Sequence, residues 1–268
     1  MSMKLDSFFA SYPVFTTTEL KEYLKSWKSK AEKNYYLLLN YHLKQGRIIK
    51  ICRSLYASVP ANANPENFSP NLFLVAGKRT SDSILAYHTA QEYYGSAYSI
   101  HNVRTFITNR NIKPFEFRDI YYKPVKPPTT LLKKKKVDYG VKEIDIQGLK
   151  VRITCRERTF VDMLDRPDLS GSIEEVWRSL EMTEFLDMRV LLEYLKLLEN
   201  STTAAKVGFF LETHRKTFNV ENSFLHEIEK LKPKSIHYLD RSRREKTRVS
   251  KKWNLAIPES LLELEWEE

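Results

Sequence analysis

The feature that most constrains the fold of this chain is a helix-capping signature that occurs twice within the first 60 residues. Residues 16–19 (TTTE) have the spacing with which a capping box opens a helix, and they predict a helix that runs to about Ser26. Residues 29–32 (SKAE) repeat the spacing, so we expect a second helix over 30–45. Gly46 follows where a left-handed residue commonly ends a helix. The segment therefore predicts two short, closely spaced helices.

The second predicted helix has two chemically different faces. At about 100° per residue, an apolar face suited to a small core is formed by Ala31, Tyr35, Leu38, Leu39, His42 and Leu43. The opposite face carries Lys30, Lys33, Asn34, Leu37, Asn40, Tyr41 and Lys44. That second set offers cations for phosphates, amides for an adenine edge and apolar surface for a thymine methyl group. The pattern is typical of a helix that enters the major groove of DNA.

A basic β-hairpin is expected after Gly46. Two short strands are predicted over 47–51 and 55–59, with a turn at 52–54, and the hairpin would carry Arg47, Lys50 and Arg53. Together with a short first helix, this predicts a winged helix-turn-helix over residues 1–60, whose wing would touch a minor groove or flanking phosphates. The alternative is that the basic face is merely solvated and that the module binds protein.

The rest of the chain predicts a second, larger domain. Residues 60–65 (PANANP) have the composition of a linker, so we place a linker at 61–69 and the second domain at 70–268. Helices are expected at 72–76 and 83–94, strands between 98 and 154, and a series of helices from 157 to 231. Strand-like segments are expected again over 235–239 and 249–257. The fold class predicted is α+β, a winged helix-turn-helix followed by a larger mixed α/β domain with a helical C-terminal half.

The charge of the chain is positive and unevenly distributed. A net charge of +10 favours a polyanionic partner. Residues 1–60 hold ten Lys/Arg against four Asp/Glu, and 232–252 hold nine against two, whereas 157–200 hold eleven acids against five bases. Cys52 and Cys155 are too few for a disulfide framework or a zinc site, and no apolar run approaches the length of a membrane span. We expect a cytoplasmic protein with no membrane partner.

No catalytic constellation is evident, so we expect neither enzymatic activity nor a cofactor or metal. Asp162, Asp165 and Asp168 recur every three residues, but helix capping and pairing with nearby arginines explain them more simply than a metal cluster. Glu143 and Asp145 lie on a predicted hairpin, yet the acid–x–Lys arrangement of nuclease cores is missing. A metal-dependent nuclease that uses these two acids is the remaining enzymatic alternative.

Three blocks of the sequence resemble the AbiEi-type antitoxins, the abortive-infection (type IV toxin–antitoxin) family. The first comprises residues 15–20 (FTTTEL) and 53–56 (RSLY), with Ser54 where the family usually has glycine. The second is 157–171 (ERTFVDMLDRPDLSG), followed by 173–176 (IEEV). The third is 238–244 (YLDRSRR), running to 253–261 (WNLAIPESL). The blocks fall in the order of the family and span nearly the whole chain.

The resemblance implies a repressor that is also an antitoxin in phage defence. Its N-terminal domain would bind double-stranded operator DNA and repress its own operon, and its C-terminal domain would neutralise a nucleotidyltransferase-like toxin, directly or indirectly. Mapped on this chain, the DNA-binding residues would be Thr17, Thr18, Lys30, Lys33, Asn34, Lys50 and Arg53. A second basic patch, or toxin-neutralising set, would be Arg241, Arg243, Arg244, Arg248, Lys251 and Lys252. The alternatives are a solvated basic hairpin for the second set and, for the whole protein, a docking module that binds the toxin without specific DNA binding.

Overall fold

The N-terminal segment folds as a winged helix-turn-helix in the computed structural model, which describes residues 2–27, 33–240 and 246–263. Its elements are α1 (Ser2–Ser11), β1 (Val14–Thr16), α2 (Thr17–Ser26), α3 (Tyr35–Lys44), β2 (Ile48–Cys52) and β3 (Leu55–Ser58). The three strands form one sheet, in which β3 pairs antiparallel with both β1 and β2. The two predicted strands of the wing are therefore confirmed.

An apolar core of its own supports this segment. Phe8 and Phe15 are fully buried, with ring centroids 5.2 Å apart, and Leu20 and Leu24 of α2 pack beneath them. Leu39 contributes from α3, and Ile48 contributes from the wing. Among the described residues, every member of this core lies within the first 60.

The start of the third helix differs from the prediction. The helix was expected to begin at Lys30 but begins at Tyr35, because Asn34 has φ −118° and ψ 34°, outside the helical region. Lys33 and Asn34 therefore form a turn before the helix. The second capping signature, 29–32, lies outside the described residues.

The contacts of the chain group it into two compact units, a division that differs from the predicted boundaries of 1–60, 61–69 and 70–268. Unit 1 comprises 1–85, 101–126 and 142–153, and unit 2 comprises 86–100, 127–141 and 154–268. The division differs because strands from three separate segments of the chain form one sheet. That sheet and the winged helix both belong to unit 1.

The sheet of unit 1 has six strands and mixed direction. Its order is β6-β7-β5-β4-β9-β8, with parallel pairs β5–β7 and β4–β9 and antiparallel pairs β4–β5 and β6–β7. The elements are α4 (Leu72–Gly77), β4 (Ile84–Leu85), β5 (Val103–Ile107), β6 (Phe115–Phe117), β7 (Ile120–Val125), β8 (Val141–Ile146) and β9 (Leu149–Thr154). The turn between β8 and β9 has positive φ at Gln147 (54°) and Gly148 (80°), as a two-residue type I′ hairpin requires, and confirms the predicted turn.

Unit 2 is mainly helical, as predicted for the C-terminal half, which completes the α+β fold. Its elements are α5 (His88–Tyr93), α6 (Thr129–Lys133), α7 (Arg156–Asp165), α8 (Ile173–Glu181), α9 (Met188–Leu198), α10 (Ser201–Thr213), α11 (Asn222–Glu229), β10 (His237–Tyr238), β11 (Thr247–Ser250), β12 (Leu255–Pro258) and α12 (Glu259–Glu263). Trp177, Phe210 and Trp253 are fully buried at its centre. Within the described ranges, no helix combines the length and the apolar character needed to cross a membrane.

One expected strand of unit 2 is a hairpin instead. Residues 249–257 were predicted as a single strand, but β11 ends at Ser250 and the chain reverses before β12, with Val249 opposite Ala256. Trp253 lies in the turn, and its ring packs so close to Gly208 of α10 that a Cβ there would be 2.2 Å from the indole. Asn254 completes the turn with φ 51°.

Candidate nucleic-acid interface

The start of α2 is fixed by the predicted capping box. The Glu19 amide donates to Thr16 Oγ1 at 3.2 Å, and the Thr16 amide donates to Glu19 Oε2 at 2.8 Å. The next amide, that of Thr17, donates to the carbonyl of Ser54 at 3.1 Å. This bond joins the first residue of α2 to the turn of the wing, so that Thr17, Thr18 and the wing tip lie near one another.

The outward face of α3 is open to solvent. Leu39 and His42 are buried against the small core, whereas Leu37 and Tyr41 have 56% and 59% of their surface exposed. Asn40 and Lys44 are exposed on the same side. The prediction of a core face and an outward face is confirmed for the described residues, 33–44.

The wing presents its basic residues at the surface. Lys50 and Arg53 are exposed, and Lys50 lies opposite Tyr56 in the β2–β3 pair. Ser54 ends the turn with φ 65°, in the left-handed region that glycine adopts more readily than serine. The hairpin is therefore formed at some local cost at Ser54.

A cleft joins α2, α3 and the wing, and we name it the recognition cleft. Its volume is about 180 Å³, and its lining is Thr17, Tyr35, Tyr36, Leu39, Asn40, Lys50, Arg53, Ser54 and Tyr56. Three predicted DNA-binding residues, Thr17, Lys50 and Arg53, are brought together here. Three more, Thr18, Lys33 and Asn34, are exposed but do not line the cleft. Lys30 lies outside the described residues.

Two residues of the lining, Tyr36 and Asn40, were not predicted from the sequence to bind DNA. They lie four residues apart on α3, so their side chains share one face of the helix. The sequence does indicate Asn40, because helical periodicity places it on the predicted outward face. Tyr36 carried no such signal, because its position depends on how α3 meets the wing.

Four cations of the winged helix have no carboxylate partner among the described residues. In the part of the chain that the structure describes, Lys33, Lys44, Lys50 and Arg53 form no ion pair. Arg47 differs, because it pairs with Asp6 and its guanidinium lies 5.3 Å from the centroid of the Phe9 ring. Its charge is thus committed to the winged helix itself, whereas the four free cations leave this surface electropositive.

The second predicted basic patch is only partly described. Arg248 pairs with Glu259 at 3.8 Å, and Lys252 pairs with Glu212, while Lys251 is exposed. The remaining members, Arg241, Arg243 and Arg244, lie outside the described residues. Two of the three described cations are therefore neutralised by carboxylates.

A cavity of about 500 Å³ in unit 2 is lined by parts of the second and third sequence blocks. Its lining includes Asp165, Asp168, Ser172, Lys206 and Asp240. Asp165 Oδ1 accepts hydrogen bonds from Asn200 Nδ2 at 2.8 Å and Thr203 Oγ1 at 2.6 Å. Lys206 Nζ donates to the carbonyl of Leu164 at 3.1 Å. These polar groups bond to the protein itself, which is the behaviour of a structural network.

Asp162, another of the three regularly spaced acids, forms a buried ion pair with Arg158. Asp162 is fully buried, accepts from Arg158 Nε at 3.3 Å and from the Tyr194 hydroxyl at 2.5 Å, and confirms the predicted pairing with Arg158. Burial raises the pKa of Asp162 to about 6, although Arg158 and the Tyr194 hydrogen bond act in the opposite direction. Arg158 also donates to two main-chain carbonyls, at Val137 and Tyr139.

The acids of the nuclease alternative contribute to the β8–β9 hairpin. Glu143 pairs across the hairpin with Lys150 at 3.3 Å, and both side chains are largely exposed. Asp145 Oδ1 accepts the Gly148 amide at 2.9 Å and so supports the turn.

Comparison with known proteins yields a structural match of low sequence identity. The crystal structure of the RV2827C protein from Mycobacterium tuberculosis superposes with a TM-score of 0.62, covering 98% of this chain and 94% of that one at 12% identity. At that identity the similarity shows the shared α+β fold alone. No family model matches the chain, and no curated protein matches it.

Proposed function

We propose that this protein is a DNA-binding repressor and the antitoxin of an AbiEi-type toxin–antitoxin pair. In this proposal α3 enters a major groove, the wing contacts the phosphate backbone, and the bound site is the operator of the protein's own operon. The C-terminal segment, 70–268, neutralises a nucleotidyltransferase-like toxin. The proposal assigns no catalytic step, cofactor or metal to the chain.

The observation that carries the DNA-binding part is the recognition cleft and its free cations. Lys50 and Arg53 flank an open helix face that holds an amide, Asn40, and an exposed apolar side chain, Leu37. Cations without carboxylate partners can pair with phosphates without first breaking an internal bond. The amide and the apolar groups match the edges that DNA bases present in the major groove.

The test is the salt dependence of binding to duplex DNA. Lys50→Ala/Arg53→Ala removes two cations, so the slope of log affinity against log salt should become shallower by about 2. The matched control, Arg248→Ala/Lys252→Ala, removes two cations of unit 2, which the proposal leaves outside the DNA interface, and should leave the slope unchanged. Binding by the native protein with equal slopes in both variants would remove the wing from the interface.

The antitoxin part is tested by growth. A nucleotidyltransferase-like protein encoded beside this gene should arrest growth when it is expressed alone. Co-expression of this protein should restore growth. Lys50→Ala/Arg53→Ala should still rescue growth, because the proposal places neutralisation in 70–268. Growth arrest that persists with the native protein would contradict this part while leaving DNA binding intact.

A second candidate function follows from the apolar surface of α3. Tyr36, Leu37 and Tyr41 are each more than half exposed, which is also the composition of a protein-docking surface. In this alternative the winged helix binds the toxin directly and has no specific DNA site. Leu37→Ser/Tyr41→Ser would then abolish complex formation with the toxin, whereas Lys50→Ala/Arg53→Ala would leave it intact.

A further inference from the structure

A second cleft in unit 1 adjoins the recognition cleft, and we name it the flanking cleft. Its volume is about 650 Å³, and it is bounded on one side by residues 16–19 and Ser54 and on the other by 77–81, Arg110, Ile112 and Lys150. Thr17 and Ser54 line both clefts, and a main-chain hydrogen bond of 3.1 Å joins them. The two clefts are therefore parts of one continuous surface.

The flanking cleft is polar and basic. Its lining has four cations, Lys78, Arg79, Arg110 and Lys150, against a single carboxylate, Glu19. Lys78 pairs with that carboxylate. The other side chains in the lining are mostly hydroxyls, which donate readily to phosphate oxygens. Within the lining itself, positive charges therefore outnumber negative ones.

Two of these cations are held loosely enough to change partners. Arg110 is 62% exposed, with Nη2 2.8 Å from Ser81 Oγ and Nε 3.8 Å from Asp82. Lys150 is 77% exposed and pairs with Glu143, itself 62% exposed. Such exposed ion pairs contribute little to folding, so a phosphate can replace the carboxylate at small cost.

We infer that the flanking cleft binds the sugar–phosphate backbone of the duplex next to the site read by α3. This inference rests on the proposed DNA-binding function and extends it. In a helix-turn-helix complex the helix that precedes the recognition helix crosses the backbone, and here that helix, α2, starts at the boundary between the two clefts. A DNA strand whose backbone passes Thr17 continues along Arg110 and Lys150. Unit 1 therefore contacts DNA with its six-stranded sheet as well as with its winged helix.

The test compares two charge-matched double variants of the full chain. Arg110→Ala/Lys150→Ala should make the salt slope shallower by about 2 on a long duplex. Lys216→Ala/Lys234→Ala removes the same charge from exposed positions of unit 2 and should leave the slope unchanged. Hydroxyl-radical footprinting should show that the first variant loses protection only at one flank of the site. Thermal unfolding of both variants is the check that each is folded.

The outcomes separate the inference from the function on which it rests. A native slope and a native footprint in Arg110→Ala/Lys150→Ala, with binding weakened by Lys50→Ala/Arg53→Ala, overturn the flanking cleft alone. Equal slope changes in both charge-matched variants also overturn it, since they would reflect net charge. Absence of any DNA binding by the native protein overturns both.

Discussion

The two basic hairpins of this protein look alike in sequence and differ in structure. The wing, β2–β3, and the hairpin β11–β12 each carry several cations and a turn residue with positive φ. Lys50 and Arg53 on the wing have no carboxylate partner in the described chain, whereas Arg248 and Lys252 on the second hairpin are paired. The count of basic residues in a hairpin therefore does not tell how many of them lack a carboxylate partner.

The turns of the two hairpins also differ, because one is exposed and the other is packed into a core. The tip of the wing, Arg53 and Ser54, is exposed, while the turn of the second hairpin inserts Trp253 into the core of unit 2. The indole Nε1 of Trp253 donates to Glu212 Oε2 at 2.6 Å, and the same carboxylate group pairs with Lys252. The second hairpin is thus anchored in unit 2, whereas the tip of the wing is exposed to solvent.

The largest expected effect tests the anchor. Trp253→Ala should lower the free energy of unfolding by about 3–5 kcal/mol, since it empties a closely packed site against α10. Arg53→Ala, at the corresponding position on the wing, should change it by no more than about 0.5 kcal/mol. Denaturant unfolding of both variants measures the contrast, and similar losses would show that the wing is also a structural element.

A smaller effect tests whether the free surface reads bases. Asn34 precedes α3, is exposed and makes no capping hydrogen bond to that helix. Asn34→Ala should weaken binding to a duplex selected from a random pool by about 1–3 kcal/mol, and binding to random duplex much less. Gln45→Ala, an exposed amide at the other end of α3, is the control. Equal losses on both duplexes would mean that Asn34 only positions the protein.

The smallest effect concerns the two turns. Ser54→Gly should raise the free energy of unfolding by about 0.5–1 kcal/mol, because glycine adopts φ 65° without strain. Asn254→Gly should not, since asparagine tolerates this backbone and its Nδ2 donates to the carbonyl of Pro233 at 2.7 Å. Loss of this hydrogen bond should lower the free energy of unfolding by about 1 kcal/mol. Thermal unfolding would contradict the comparison if both substitutions acted with the same sign.

Local sequence signals predicted the elements of unit 1 that carry the candidate site. The capping box at 16–19, the outward face of α3 and the wing strands follow from contacts between near neighbours in sequence. The start of α3 and the strand over 249–257 did not follow from such signals. The backbone of Asn34 is not helical, and the turn that divides 249–257 contains Trp253, which packs against Gly208, 45 residues earlier in the chain.

The sequence by itself determined that a winged helix with an outward polar face opens an α+β chain of net positive charge. Only the tertiary structure decided which cations are free. The carboxylates that neutralise Arg47, Lys78 and Lys252 lie 41, 59 and 40 residues away in sequence. Periodicity and capping act over a few residues, so they specify helices, strands and faces. Charge pairing across such separations depends on how the elements pack, and that decided which of the described basic residues have a carboxylate partner.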